Sequence, residues 1–107
     1  MTNKYKAIFL DEVSNFIDAL GDQDKAKILA SVKVMMEGDF QSIIVKSLKS
    51  PIRELAVKKY RILFFIDRNV IYLIGAFIKK TAKTPKKEIE NAEKIHKIIM
   101  KINKNNN

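Results

Sequence analysis

Cysteine and tryptophan are absent from this 107-residue chain, and histidine occurs once. Without cysteine there is no disulfide and no thiolate metal site, which suits a reducing cytoplasm. The lone His96 stands late in the last helical stretch, without a nearby carboxylate or cysteine, and is not read as catalytic. Glycine occurs three times and proline twice, too few and too scattered for a glycine-rich phosphate loop or a low-complexity linker. There is no GxSxG elbow and no cluster with metal-ligand spacing, so no cofactor or metal is expected. The segment MTNKYKAIFLDE has too short an apolar run for a signal peptide. No apolar run approaches the ~20 residues of a membrane span.

What the chain has is positive charge, concentrated in its middle. The formal net charge is +9. Residues 1–45 carry five basic and seven acidic side chains, residues 46–87 twelve and two, and residues 88–107 four and three. A charge meant for solubility alone would be spread more evenly. A focused basic region attracts polyphosphates and speeds their encounter.

The length is that of one domain, residues 1–107, with a modest core. Residues 4–10 alternate loosely and read as a strand. Asp11 or Ser14 then caps a short helix with Phe16, Ile17 and Leu20 on one face and Gly21 as its stop. Asp22 or Asp24 caps a second helix. Its apolar positions Ala26, Ile28, Leu29, Val32, Met35 and Met36 recur at helical spacing, and Gly38-Asp39 ends it. Residues 43–45 begin a strand or an ordered loop, and residues 46–51 read as a polar turn.

Three strands follow, over residues 52–58, 60–67 and 70–78. Asn69 is the candidate for positive φ in the second hairpin turn. The last two strands are apolar on both alternating sets, which predicts a central position covered on both faces. The helix pair can cover one face; the last helix or a partner must cover the other. Thr84 caps that helix, with Pro85 in its first turn. Ile89, Ala92, Ile95, Ile98, Ile99 and Ile102 form its stripe, and the tail NKNNN frays. The expected fold is α+β, ordered β-α-α-β-β-β-α, with a small, mostly antiparallel sheet.

Candidate chemistry falls on the polar set beside that sheet. Arg61 lies near the start of a strand whose next residues are all apolar, which would hold its fork rigidly for bidentate phosphate binding; the competing reading is a structural ion pair with Glu54. Lys79, Lys80 and Lys83 lie just past the last strand. Cleavage of RNA through its 2′-OH needs a base, positive charge at the phosphorane and an acid. Arg and Lys supply the charge, Glu54 is the candidate base, and Tyr60 is a weak candidate for proton transfer. Such a site would gain from a second body, such as a ribosome, that bends the substrate in line.

The run LKSPIRELAV, then KYRILFFID, then IYLIGAFIKKTAKTPKKEIENAE closely resembles the phage-derived, HigB-like branch of the RelE/ParE toxin superfamily. The resemblance spans residues 48–93, and the opening β-α-α fits it. It implies the toxin of a type II toxin–antitoxin module that cleaves mRNA on the ribosome without a metal. The implied partners are a cognate, HigA-like helix-turn-helix antitoxin, mRNA and the ribosome. Operator DNA would be met only through the antitoxin complex, and no membrane is implied. Arg61 matches the family's phosphate-stabilising arginine, and Lys79 and Lys80 match the basic residues closing the last strand. Arg53, Lys58, Lys59, Lys83 and Lys86 are then expected to bind RNA or the ribosome. The family commonly places an arginine where this chain has Ala56, with Arg53 or Lys58 as the candidates to compensate. Two other readings stay open: a ParE-like gyrase inhibitor, and a weakened toxin that binds nucleic acid without cutting it.

Overall fold

The computed structural model describes residues 3–106. Met1, Thr2 and the last residue of the asparagine tail lie outside that range. The chain forms β1 (Lys6–Phe9), α1 (Asp11–Asp18), α2 (Asp22–Met36), β2 (Ile44–Ser47), β3 (Arg53–Val57), β4 (Tyr60–Asp67), β5 (Val70–Ile78) and α3 (Lys86–Asn105). The strands make one sheet in the order β1-β5-β4-β3-β2. Only the β1–β5 pair is parallel. The expected α+β class and mostly antiparallel sheet are therefore present, with one strand more than the expected order. That strand is β2, where Lys46 and Ser47 read as turn residues. They pair with Glu54 and Arg53 at the sheet's outer edge, a position that tolerates polar residues because half its backbone faces water.

β4 and β5 are covered on both faces. Leu55, Val57, Tyr60, Ile62, Phe64, Ile71 and Leu73 pack with Val13, Ile17, Ile28, Val32 and Met35 of α1 and α2. On the other face Ile52, Leu63, Phe65, Ile74 and Phe77 pack with Ala92, Ile95 and Ile99 of α3. A bulge joins these two sets. Leu63 pairs with Gly75 but Phe64 pairs with Leu73, so β5 carries one extra residue there. The extra residue inverts the alternation of β5. Phe77 thereby faces α3, together with its cross-strand partner Arg61.

Helix ends differ from expectation in several places. Leu10 and Gly21 occupy the N-cap positions of α1 and α2, and neither Asp11, Ser14, Asp22 nor Asp24 caps by its side chain. Gly21 has an extended φ of −63° and opens α2 rather than stopping α1. The end of α2 is as expected. Gly38 takes φ +83°, its N–H donates to the Met35 carbonyl, and the Asp39 N–H donates to that of Val34. Pro85, not Thr84, precedes α3, because the Thr84 side chain turns inward. α3 runs to Asn105, through most of the expected frayed tail. Ile98 and Ile102 are exposed by 59% and 52%. At 100° per residue Ile98 lies about 120° round the helix from buried Ala92, so it falls off the packed face. No helix among the described residues is long and apolar enough to cross a membrane.

Candidate functional site

The site is built at the end of the sheet where β3 turns into β4. Val57 pairs with Tyr60 across the two-residue turn Lys58-Lys59, and Lys58 takes φ +55°. The turn sends the next two side chains to opposite faces. Tyr60 enters the α1–α2 core and Arg61 lies on the α3 face.

Arg61 is held by three groups. Its Nη1 donates to the carbonyls of Lys58 and Tyr60, each at 2.8 Å. Its Nε lies 3.7 Å from Glu54 Oε1. Glu54 is one diagonal step away on β3, since Ala56 is the residue directly opposite Arg61. These contacts engage Nε and Nη1 and involve no partner for Nη2 among the described residues. Glu54 is only 2% exposed, and its Oε2 accepts a hydrogen bond from the Thr84 hydroxyl. The ion pair weighed against a phosphate-binding role is thus present, and it fixes the fork rather than enclosing it.

From Thr84 the surface opens into a groove of about 560 Å³, lined by Lys46, Leu48, Lys49, Lys83, Lys86 and Ile89 and, on α3, by Glu90 and Glu93. Lys49 reaches across it to Glu93 of α3 at 3.4 Å. Arg61 is thus linked through Glu54 and Thr84 to a groove lined by four lysines. Lys79 continues past β5, its N–H bonded to the Lys59 carbonyl, and alternation from Phe77 puts it on the α3 face. Lys80 is the next residue and is exposed. Lys46 and Lys49 were not singled out from the sequence. Their signal was available, because both lie in the basic stretch, but the reading of residues 46–51 as a turn hid it.

Other expected residues lie elsewhere. Arg53 pairs with Phe64, on the α1–α2 face. Lys58 turns to that face too, where its Nζ meets Asp24 Oδ1 at 2.7 Å. Neither stands beside Ala56 to replace the arginine expected there. Lys59 rests its ammonium 5.6 Å from the Tyr60 ring centroid. The Tyr60 hydroxyl donates to Asp24 Oδ2 at 2.7 Å, across the sheet from Arg61. His96 sets its ring edge-on to Phe65, 4.6 Å between centroids, as a packing residue. The positive φ of the β4–β5 turn falls on Arg68 (+58°) rather than Asn69. Among the described residues no group of His, Asp and Glu is placed to hold a metal ion.

The hydrogen bonds from Lys58 and then Tyr60 hold the Asp24 carboxyl below the usual aspartate range. The bond to Asp24 raises the Tyr60 phenol above its ordinary value. The signs follow by linkage. Asp24's contribution to stability is complete above the usual aspartate value and is lost as pH falls through the lowered one. That of Tyr60 is complete below the ordinary phenol value and is lost as pH rises through the raised one.

A domain with helices on both faces of a mostly antiparallel sheet has known relatives. The model of the phage-derived Gp49-like protein family matches residues 15–97. The chain belongs to that family. Among solved structures it is similar to RelE in the archaeal RelE–RelB complex from Pyrococcus horikoshii OT3, with a TM-score of 0.67 at 13% identity. The likeness covers 74% of this chain and 99% of the archaeal one. The fold is therefore RelE-like, as the resemblance in the sequence implied. No curated protein matches the chain.

Proposed function

We propose that this protein is the single-domain toxin of a type II toxin–antitoxin pair, a cytoplasmic endoribonuclease that cuts mRNA on the ribosome. The observation that carries this reading is Arg61, a guanidinium fixed by Glu54 and two turn carbonyls and linked through Glu54 and Thr84 to a groove with four lysines. The family supports a phage-type module, and the RelE-like fold supports an antitoxin partner, since the archaeal RelE was solved with RelB.

In the proposed reaction the RNA 2′-oxygen loses its proton and attacks the adjacent phosphorus. The 5′-oxygen of the next nucleotide leaves with a proton, giving a 2′,3′-cyclic phosphate and a 5′-hydroxyl. Arg61 binds the phosphorane oxygens as their charge develops, through the N–H groups not committed to the protein. Lys79 and Lys80 add positive charge at the same end of the sheet. Lys83 and Lys86, with Lys46 and Lys49, guide the flanking strand along the groove. Glu54 steers Arg61 and is the proton acceptor, for which Oε2 must be released by Thr84. Arginine and lysine are poor acids at neutral pH, so the ribosome must supply in-line geometry and help to the leaving group.

The test is primer extension on a translated message after induction. Breaks within the reading frame that vanish when translation initiation is blocked support the reading. Intact message together with an SOS response would replace it with gyrase inhibition. Salt-dependent RNA binding with neither effect would leave a non-cleaving nucleic-acid-binding module.

A further inference from the structure

We propose that Asp24 of α2, on the far side of the sheet, is a positioning residue for Arg61. The proposal rests on the reading of Arg61 as the phosphate-binding group. Asp24 Oδ1 binds the Lys58 ammonium and Oδ2 binds the Tyr60 hydroxyl, both at 2.7 Å. The backbone carbonyls of those same two residues are the acceptors for Arg61 Nη1. One carboxylate therefore grips, by their side chains, the two residues that grip the guanidinium by their main chain.

The turn needs such a grip. Lys58 takes φ +55°, a region sparsely populated by residues with a Cβ, and a two-residue loop has no other slack. The neighbouring Lys59 side chain is exposed, and its carbonyl is held by the Lys79 N–H. If the Lys58 peptide rotates, its carbonyl leaves Nη1. The fork is then restrained only by the Tyr60 carbonyl at Nη1 and by the 3.7 Å Glu54 contact at Nε. An acid in the first turn of a helix is favoured by the helix dipole without further reason. Here, however, Asp24 binds no backbone N–H of its own helix N-terminus, and both its oxygens point to the hairpin. Its geometry serves the turn.

The experiment uses Asp24→Asn, Tyr60→Phe and the double variant of the full chain, with two readouts. The first needs no RNA: the ¹⁵N–¹H signal of Arg61 Nε–Hε. Asp24→Asn is expected to shift it and to speed its exchange with water by about tenfold, because local opening becomes easier. The second is single-turnover cleavage on translating ribosomes, scaled to folded protein. The rate constant is expected to fall about tenfold with half-saturation changed less than about twofold, since misplacement of a positioned group costs rate rather than binding. The double variant should match Asp24→Asn within about twofold, because both changes act through one carboxylate. An unchanged Arg61 signal in Asp24→Asn, or an unchanged rate per folded molecule, overturns the proposal. A wild-type chain that cuts nothing sinks the proposed function instead, and the Arg61 signal still decides the clamp.

Discussion

The two ends of β4 are built from similar parts to different ends. Each meets a two-residue turn whose first residue is basic and left-handed, Lys58 at one end and Arg68 at the other. Each is tied by a side chain to a helix. At the Lys58 end Asp24 ties the turn to α2, and the chain of contacts ends on the Arg61 guanidinium, which Glu54 and Thr84 link to a groove with four lysines. At the Arg68 end Asn103 of α3 donates to Asp67 Oδ2 and to the Tyr72 hydroxyl, each at 3.1 Å. There the polar groups close on one another and lock α3 to the sheet. The same hairpin device thus serves a candidate site at one end and the packing of a layer at the other. Which end does which depends on whether the contacts terminate in an open donor.

The strongest way to break this contrast is Arg61→Ala. Loss of a preorganised charge at a developing anion typically costs about 10²–10³ in rate. The same change strands the carboxylate of Glu54, and loss of one partner from a buried pair costs about 3 kcal/mol. Both effects are measurable, by cleavage per folded molecule and by urea unfolding. Pairing it with Glu54→Gln should recover most of the stability and none of the cleavage. Cleavage that survives in Arg61→Ala would take the site away from this end of β4.

A smaller effect sharpens the comparison from the other direction. Ala56 lies directly across from Arg61 on β3 and is half-buried. Ala56→Arg would set a second guanidinium on the same face. An added donor to a transferring phosphoryl group should raise cleavage by about tenfold, against a modest loss of stability from two like charges opposite each other. An unchanged or lower rate would mean that Lys79 and the groove lysines already provide that charge.

Much of this could be read from the residues, for identifiable reasons. The doubly apolar β4 and β5 required a covered centre, and the amphipathic pattern of α3 provided the second cover. Gly38 signalled the end of α2 because few other residues accept its φ. What stayed hidden depended on contacts between distant segments. Thr84 has the spacing of a cap, but a buried carboxylate thirty residues away takes its hydroxyl. Asp24 likewise looks like a cap until the β3–β4 turn is folded over it. The bulge opposite Leu63 leaves no mark in the alternation of β5, yet it decides that Phe77 sits with Arg61. The polar β2 illustrates a further limit, since an edge strand needs no apolar pattern to pair.

The smallest effect tests the closed end of β4. Asn103→Leu removes the shared donor to Asp67 and Tyr72, both of which are half-buried and can turn to water. Loss of a partly exposed hydrogen bond of this kind costs about 1 kcal/mol. The cost should appear as a lower unfolding midpoint and faster amide exchange in the last turns of α3. Cleavage per folded molecule should be unchanged, because no contact links Asn103 to Arg61 and the groove lies at the other end of α3. A loss of cleavage at unchanged folded fraction would mean that the C-terminal turns of α3 also meet the ribosome or the message. The two ends of β4 would then form one functional face, and the division of labour drawn between them would fail.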